Sequence, residues 1–379
     1  MNLSDFDTTS ISFQLTTYFV FFIVAVFFTT ILSFLFLKFL KNIGTRQHNN
    51  GQENLVRWAS QTKPKIGGFC FFMLFLLSVC SYFLLPFHSE SFFNRELLAL
   101  LGSASLGFIV GLVDDSYNTP PRFKFLGQLA CAAVMIVMGV IIPISNIWLI
   151  DVLFTTFWVV GVMNSINMLD NMDGITASVS AFILVAALAV LYLQGALAGF
   201  YVIVIVGVLA ALVSYLYFNW HPSKMYMGDS GSQFLGAFLS VISILYMWQF
   251  RGKMTDEVGL SLQQFVLPIL VFMLPIIDTT TVFVRRIRRG QSPFVGGRDH
   301  TTHHLAYCGL KDNQVAWVFV ALATVSVIFT YFIVRHFLTH TWNTSLSILA
   351  LGYVLAIFVG MQYFYEIGKR KKLINHNQS

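Results

Sequence analysis

The stretch Asn164-Ser165-Ile166-Asn167-Met168-Leu169-Asp170-Asn171-Met172-Asp173-Gly174, NSINMLDNMDG, closes a strongly apolar run and decides how the chain is read. Three asparagines and two aspartates stand where lipid would be the solvent. Such groups are expensive at membrane depth and normally face protein or water. At helical spacing Asn164, Asn167 and Asp170 drift around one side, whereas Asp173 lies half a turn from Asn164. One straight helix cannot aim them all at one ligand. A helix end near Met168–Leu169 is therefore expected, followed by a short loop to Gly174 that turns the carboxylates inward.

Working outward, the chain has 379 residues, 56% hydrophobic and 11% charged, with mean hydropathy +0.73. A soluble domain of this size needs far more charge to cover its surface. A helix that crosses the hydrocarbon needs about 20 mostly apolar residues. Candidate spans fall at 14–40, 66–86, 97–113, 123–142, 147–166, 175–194, 199–217, 232–250, 264–284, 315–335 and 345–366. The expected fold is an all-α polytopic membrane protein with about eleven transmembrane helices. Residues 1–10 lack a basic n-region, and the apolar run after them is too long for a signal-peptide core, so no cleavage is expected.

Charge sets the orientation. With the N-terminus outside, the inner segments hold Lys38, Lys41, Arg46, Arg57, Lys63, Lys65, Arg122, Lys124, Lys224, the 285–311 cluster and Lys369 to Lys372. Of 23 Lys and Arg, only Arg95, Arg251, Lys253 and Arg335 then lie outside. The positive-inside rule selects an outside N-terminus and a cytosolic C-terminus. The net charge of +6 reflects that topology and an anionic leaflet, with no call for nucleic acid as a partner. Cys70, Cys80, Cys131 and Cys308 show no metal-ligand spacing and imply no disulfide framework. The polar stretch 41–62 reads as a loop. The domain layout is one transmembrane unit, 1–372, with a polar C-terminal tail at 373–379.

With this topology the polar islands all face the cytosol: 111–128, 164–174, 218–232 and 285–305. A carrier keeps its polar groups near the midplane, so a transporter or flippase of lipid-linked sugars is the weaker reading. Asp114 and Asp115 repel each other unless a divalent metal or a basic partner intervenes. Arg122 and Lys124 follow the helix-stopping Pro120-Pro121 and can approach them. In MYMGDSGS, Gly228 and Gly231 bracket Asp229 at a helix start, where Asp229 can hold a cation or simply cap the helix. Arg285, Arg286, Arg288 and Arg289 read as anionic-leaflet anchors or as phosphate binders. His300, His303 and His304 can bind a metal when neutral or phosphate when charged. Asp278, buried by position, should find a basic partner. Acids for hard cations beside bases for phosphate oxygens suit metal-assisted phosphoryl transfer. Neither a P-loop nor a dinucleotide-binding glycine fingerprint is present.

In their order and spacing, KPKIGG (63–68), GLVDDS (111–116), PRFKFLGQ (121–128), NSINMLDNMDG, FNWHPSKMYMGDSGS (218–232), PIIDTTTVFVRRIRRGQSPF (275–294) and DHTTHHL (299–305) resemble the polyprenyl-phosphate N-acetylhexosamine-1-phosphate transferases, glycosyltransferase family 4. The resemblance covers roughly residues 15–330. It implies a multi-pass enzyme of the bacterial cytoplasmic membrane with its active site at the cytosolic face. The implied partners are undecaprenyl phosphate, a UDP-N-acetylhexosamine and membrane lipids, with Mg²⁺ (or Mn²⁺) as cofactor; a homodimer is compatible. By position, Asp114 and Asp115 match the family's acidic pair, Lys124 a basic residue near the phosphates, and His303 and His304 part of the histidine cluster. Asn167, Asp170, Asp173 and Asn219 match the nucleotide pocket, Tyr226 an aromatic stacking on uracil, and Asp229 the Mg²⁺ ligand. Arg285, Arg289 and His300 are taken as substrate-binding. The usual H-x-H-H reads Thr301-Thr302-His303-His304 here, with a histidine displaced to His300. The arginine-bearing segment sets the chain nearer the O-antigen and teichoic-acid initiating enzymes than the phospho-N-acetylmuramoyl-pentapeptide transferases of peptidoglycan. N-acetylglucosamine is the expected sugar.

Overall fold

The computed structural model describes residues 11–39, 63–84, 94–145, 147–197, 199–250, 262–292, 297–339 and 342–377. The loop expected at 41–62, with Lys41, Arg46 and Arg57, lies outside the described residues, as do Arg251 and Lys253. The described chain is helical: α1 (Ile11–Phe39), α2 (Gly67–Ser81), α3 (Arg95–Tyr117), α4 (Pro121–Val137), α5 (Trp148–Leu169), α6 (Ile175–Leu193), α7 (Phe200–Asn219), α8 (Gly228–Ser243), α9 (Val266–Val271), α10 (Met273–Arg288), α11 (Thr301–Tyr307), α12 (Asp312–Thr339) and α13 (Thr344–Asn377). The last of these carries the segment from residue 373 onward in helix as far as Asn377. Among the described residues the only β pairing is an isolated parallel bridge between Lys65 and Tyr226.

Among the described residues eight helices are long and apolar enough to cross a membrane: α1, α3, α5, α6, α7, α8 with its π-turn to Trp248, α12 and α13. The pair α9 and α10, bent by 82° at Phe272, raises the number to nine. Each of the other two expected segments also carries a helix, but α2 has only 15 residues and α4 only 17. Local chemistry sets several ends. Asn94 Oδ1 accepts the Leu97 amide at 2.7 Å to start α3, and Asn118 closes it in the left-handed region. Pro121 opens α4, where its missing N–H costs nothing. Pro275 sits in the first turn of α10, just past the bend, for the same reason.

Helix α8 is the axis of the bundle, with 94% of its apolar window buried, against 17% for α1 and for α13. The outer helices turn rows such as Phe19, Ile23 and Phe27, or Leu351, Leu355 and Val359, away from the protein, as lipid-facing surfaces require. Opposite ends of the bundle are tied separately. At one end Tyr18 Oη donates to the Leu197 carbonyl, Tyr201 Oη to Glu96, and Gln249 Nε2 to the Ile141 carbonyl. Nearly every polar island found in the sequence gathers at the other.

Small residues bring α2, α3 and α8 together at that end. A Cβ on Gly111 would stand 2.1 Å from the Asp229 carbonyl oxygen, and one on Gly68 would stand 2.4 Å from the Gly231 amide nitrogen. Backbone thus meets backbone, the packing that small residues permit between apolar helices where water supplies no hydrophobic drive. We expect Gly111→Ala to push the start of α8 away from α3. Detergent-solubilised protein should then melt at least several degrees lower or fail to elute as a single species. Gly161→Ala, in the middle of α5 with nothing within 4 Å of the added methyl, should leave the melting curve unchanged or slightly raised. Equal behaviour of the two variants would show that the α3–α8 contact yields easily.

Candidate active site

The NSINMLDNMDG stretch folds as its spacing dictates. Helix α5 ends at Leu169, residues 170–174 form the turn, and Gly174 takes φ +76° to start α6. One turn deeper, carboxamides seal the floor. Asn164 Nδ2 donates to Gln128 Oε1 at 2.8 Å, and Gln128 Nε2 donates to Gln233 Oε1 at 3.1 Å, joining α5, α4 and α8. Gln128 and Gln233 are buried. Paired in this way, Gln128 and Asn164 avoid the cost of an unsatisfied polar group in an apolar interior, while the Gln233 amide nitrogen finds no partner among the described residues.

Above that floor sits the Lys124 ammonium. It donates to Asn167 Oδ1 at 3.1 Å and to Asp114 Oδ2 at 3.3 Å, and it makes a closer contact with Asp229 Oδ1. Asn167 Nδ2 in turn donates to Asp229 Oδ1 at 2.7 Å and to Ser232 Oγ at 2.8 Å. The expected conflict between Asp114 and Asp115 is resolved by separate lysines. Asp114 takes Lys124 together with the Thr119 amide and hydroxyl, and Asp115 Oδ1 takes Lys65 Nζ at 2.8 Å. Arg122, offered by the sequence as a second cation, is exposed.

Asp229 is not a helix cap. It is the second residue of α8, the cap position is Met227, and no side chain caps there. The acceptor for this end comes from another helix: Asp115 Oδ2 takes the Ser230 amide at 2.9 Å. Gly228, at φ +75°, makes room for it, because a Cβ there would lie 2.5 Å from that same oxygen. The Asp229 carboxylate is thereby left to the two lysines and Asn167.

The turn after α5 holds the other two acids. Asp173 accepts the Ser223 amide at 3.0 Å and its hydroxyl at 2.7 Å, with His221 Nδ1 at 3.1 Å. Asn219 is buried, and its carboxamide links backbones: Oδ1 accepts the Gly174 amide at 2.9 Å and Nδ2 donates to the Met225 carbonyl at 2.9 Å. Tyr226 pairs with Lys65 of KPKIGG through the isolated bridge, with the Lys63 ammonium 5.3 Å from its ring centroid. Asp170 is half-buried. Burial first, and then the charges of Asp229, Asp115 and Asp173, push its carboxyl up to about 7.

The histidine segment closes the same end. Thr302 Oγ1 donates to Asn171 Oδ1 at 2.6 Å, joining α11 to the α5–α6 turn. His300 is bound through Nδ1 to Asp278 at 2.8 Å, and Asp278 also accepts the Thr301 amide and hydroxyl, so its expected basic partner is found. His303 is buried; burial and then the neighbouring His300 hold its imidazole down at about 3, so it is neutral at working pH. Arg285 and Arg289 turn elsewhere. Both reach α13, Arg285 through Gln362 and Glu366 and Arg289 through the Tyr365 hydroxyl.

Residues 97–247, which run from the first turn of α3 through α8 and include Asp114, Asp115, Lys124, Asn167 and Asp229 but not Lys65, match the glycosyl transferase family 4 model. Over 302 residues the chain is 27% identical to the probable undecaprenyl-phosphate N-acetylglucosaminyl 1-phosphate transferase of Bacillus subtilis, covering 77% of this chain and 79% of that one. It is 29% identical to the decaprenyl-phosphate N-acetylglucosaminephosphotransferase of Mycobacterium leprae, covering 70% of this chain and 73% of the relative. The phospho-N-acetylmuramoyl-pentapeptide-transferase of Deinococcus radiodurans matches more weakly, at 25% identity over 80% of this chain and 96% of its own.

Several residues of this site went unassigned in the sequence. Lys65 holds Asp115, Ser223 anchors Asp173 and receives Lys63 Nζ at 2.9 Å, and Asn171 anchors the histidine helix. KPKIGG was the visible signal for the lysines; nothing in the sequence marks Ser223 as more than a loop residue. Among the described residues no three acid, histidine or cysteine side chains gather as a metal cage, so a hard cation would rest on one or two carboxylates. Asp114, Asp115, Asp170, Asp173 and Asp229 outnumber Lys65 and Lys124, and burial first, then the charges of Asp229, Asp115 and Asp173, raise the Asp170 carboxyl. Mg²⁺ commonly takes one or two protein carboxylates and completes its shell with water and substrate phosphate.

The sign of the pH dependence follows. Asp170 titrates near 3.8 when unperturbed and near 7 in the fold. Between those values the folded chain keeps a proton that the unfolded chain has lost, so this group's contribution to stability falls as pH rises through that window. Asp170→Asn should therefore melt higher than the parent at pH 8, the gain vanishing near pH 4. Added Mg²⁺ should raise the melting temperature of the parent more than that of the variant. Parallel melting curves from pH 4 to 8 would count against a raised Asp170 carboxyl.

Proposed function

We propose that the chain transfers N-acetylglucosamine 1-phosphate from UDP-N-acetylglucosamine to undecaprenyl phosphate, releasing UMP and starting a cell-surface polysaccharide. The observation that carries this reading is the Lys124 ammonium, shared by Asp114, Asp229 and Asn167 beside a surplus of carboxylates. The site combines cations for phosphate oxygens with anions for a metal at the end of a bundle that lipid surrounds.

In this reading an oxygen of the lipid phosphate attacks the sugar-linked phosphorus. A new P–O bond forms there, the bond to the bridging oxygen breaks, and UMP leaves with the electron pair. Lys124 and Lys65 steady phosphate oxygens. Asp114 and Asp115 keep those ammoniums in place and lie where the lipid phosphate would approach. Asp229 is the residue that would hold Mg²⁺ or Mn²⁺, which when bound supplies neutralisation of charge on the transferring phosphoryl group. Asn167, Asp170, Asp173, Asn219 and Tyr226 shape the nucleotide side. His303, neutral, offers a hydrogen-bonding imidazole in place of a cation, with His304 beside it and His300 fixing the start of α11.

The same reading places the site at the cytosolic face of the bacterial cytoplasmic membrane, with eleven crossings, the N-terminus outside and the C-terminus inside. Helices α2 and α4 and the bent pair each count as one crossing. This is supported by the basic residues gathered at the site end and by the partition of polar contacts between the two ends of the bundle.

Purified protein given undecaprenyl phosphate, Mg²⁺ and a panel of UDP-sugars should release UMP with UDP-N-acetylglucosamine. Release from the UDP-N-acetylmuramoyl-pentapeptide alone would move the chain to the other branch. Asp229→Asn should insert normally yet turn over on the order of 10²-fold more slowly or worse, because phosphoryl charge goes unneutralised. Near-parental turnover would remove Asp229 from the metal site. A reporter fused after Lys372 should read cytosolic, and a periplasmic signal would overturn the orientation.

A further inference from the structure

The last helix builds an aromatic clamp against the histidine segment, far outside the 97–247 core. Tyr365, 1% exposed, stacks on the His304 imidazole with centroids 3.7 Å apart and planes at 26°. The Arg285 guanidinium carbon lies 3.7 Å from the same tyrosine centroid. Two groups cannot both occupy one face of a ring at that distance, so Tyr365 is sandwiched between His304 and Arg285. Arg285 is itself anchored on either side of the tyrosine, by Gln362 Oε1 at 2.9 Å and by Glu366 Oε1 at 2.5 Å. The Tyr365 hydroxyl accepts from Arg289 at 3.0 Å, and Gln362 Nε2 donates to Thr281 Oγ1 at 2.6 Å, fastening α13 to α10. One turn beyond the tyrosine, a Cβ on Gly368 would lie 2.5 Å from the His304 carbonyl oxygen, so the approach of α13 to α11 depends on a residue without one.

We infer that Tyr365 is a positioning residue for His304, and that Arg285 and Arg289 act on the site through this ring. The inference rests on the reading above in placing His304 at the reaction centre. A cation over one face of an aromatic ring and an imidazole on the other fix the plane of the imidazole more firmly than apolar packing, because both contacts depend on orientation. Helix α11 has only seven residues and cannot hold its own side chains rigidly. The support comes from α13.

Three variants and two readouts test this. Tyr365→Leu removes the ring, Tyr365→Phe keeps the ring and drops the hydroxyl, and Gly368→Ala wedges α13 away from α11. In UMP release, Tyr365→Leu and Gly368→Ala should lower kcat by between about tenfold and 10²-fold, the scale expected for a group displaced by about an ångström. The KM for the UDP-sugar should stay within about twofold of the parent, since the affected group lies apart from the nucleotide pocket. Tyr365→Phe should recover most of the turnover. In a His304→Ala background Tyr365→Leu should cost nothing further, because two residues acting as one unit are not additive. Independent costs, or full turnover in Tyr365→Leu, would overturn the inference. Amide exchange over 300–308, read by mass spectrometry, needs no substrate: it should quicken at least tenfold in Tyr365→Leu and Gly368→Ala and stay parental in Tyr365→Phe. Unchanged exchange would overturn the clamp even if the parent turns over UDP-N-acetylglucosamine. Quickened exchange in a parent that releases no UMP would uphold the clamp while rejecting the transferase reading.

Discussion

The Lys124 ammonium sits where α3, α5 and α8 bring Asp114, Asn167 and Asp229 to one point. Without that charge, carboxylates from two helices would confront each other at the end of the bundle. The helices could then approach only with the acids protonated or splayed. The glycine contacts and the lysine are therefore complementary. Gly111 and Gly68 let the backbones touch, and Lys124 and Lys65 make that proximity electrostatically tolerable. Removing either half would leave the other as a defect.

Below the charged layer, the Asn164–Gln128–Gln233 ladder separates the site from the apolar interior. Its role is directional. A reciprocal pair of carboxamides fixes the rotation of α4 against α5, and so sets where Lys124, one turn before Gln128, can reach. The polar site is thus positioned from beneath by hydrogen bonds and from the side by close backbone contact. The loop residues are left only to complete it: Asp173 with Ser223, and Asn171 with Thr302.

Much of this was legible in the sequence. The break after Leu169, the turn to Gly174 and the meeting of Asp114, Asp115, Lys124, Asn167 and Asp229 all follow from polar residues too costly to face lipid. Asp278 finding a base follows from the same reasoning. What could not be read was which partner each group takes. The flanking glycines made Asp229 look like a cap, yet the capping oxygen comes from Asp115, 115 residues from Ser230 in sequence. The arginine cluster looked free to meet substrate, yet Arg285 and Arg289 meet Tyr365 and its neighbours on a helix about 80 residues later. Spacing along one helix reports a face; it says nothing of the distant helix that covers it. Helix number has the same limit, because α2 and α4 are too short to announce themselves by length alone.

Pairing within the site also constrains how it can be used. Lys124 and Lys65 are already engaged by carboxylates, so a phosphate that recruits them must compete with Asp114, Asp115 and Asp229. Each ammonium drawn toward phosphate leaves carboxylate charge behind, in a place where Asp170 already resists ionising. Phosphate alone is then disfavoured, because it adds negative charge while uncovering more. A cation alone gains carboxylates only by displacing lysines of like sign. Together the two exchanges balance: the lysines turn to phosphate oxygens as the freed carboxylates turn to the cation. Linkage makes this reciprocal, each partner strengthening the binding of the other by the same factor. On the proposed reading the lysines stand in for both, which lets a chain with so few charges keep five carboxylates at the end of its bundle.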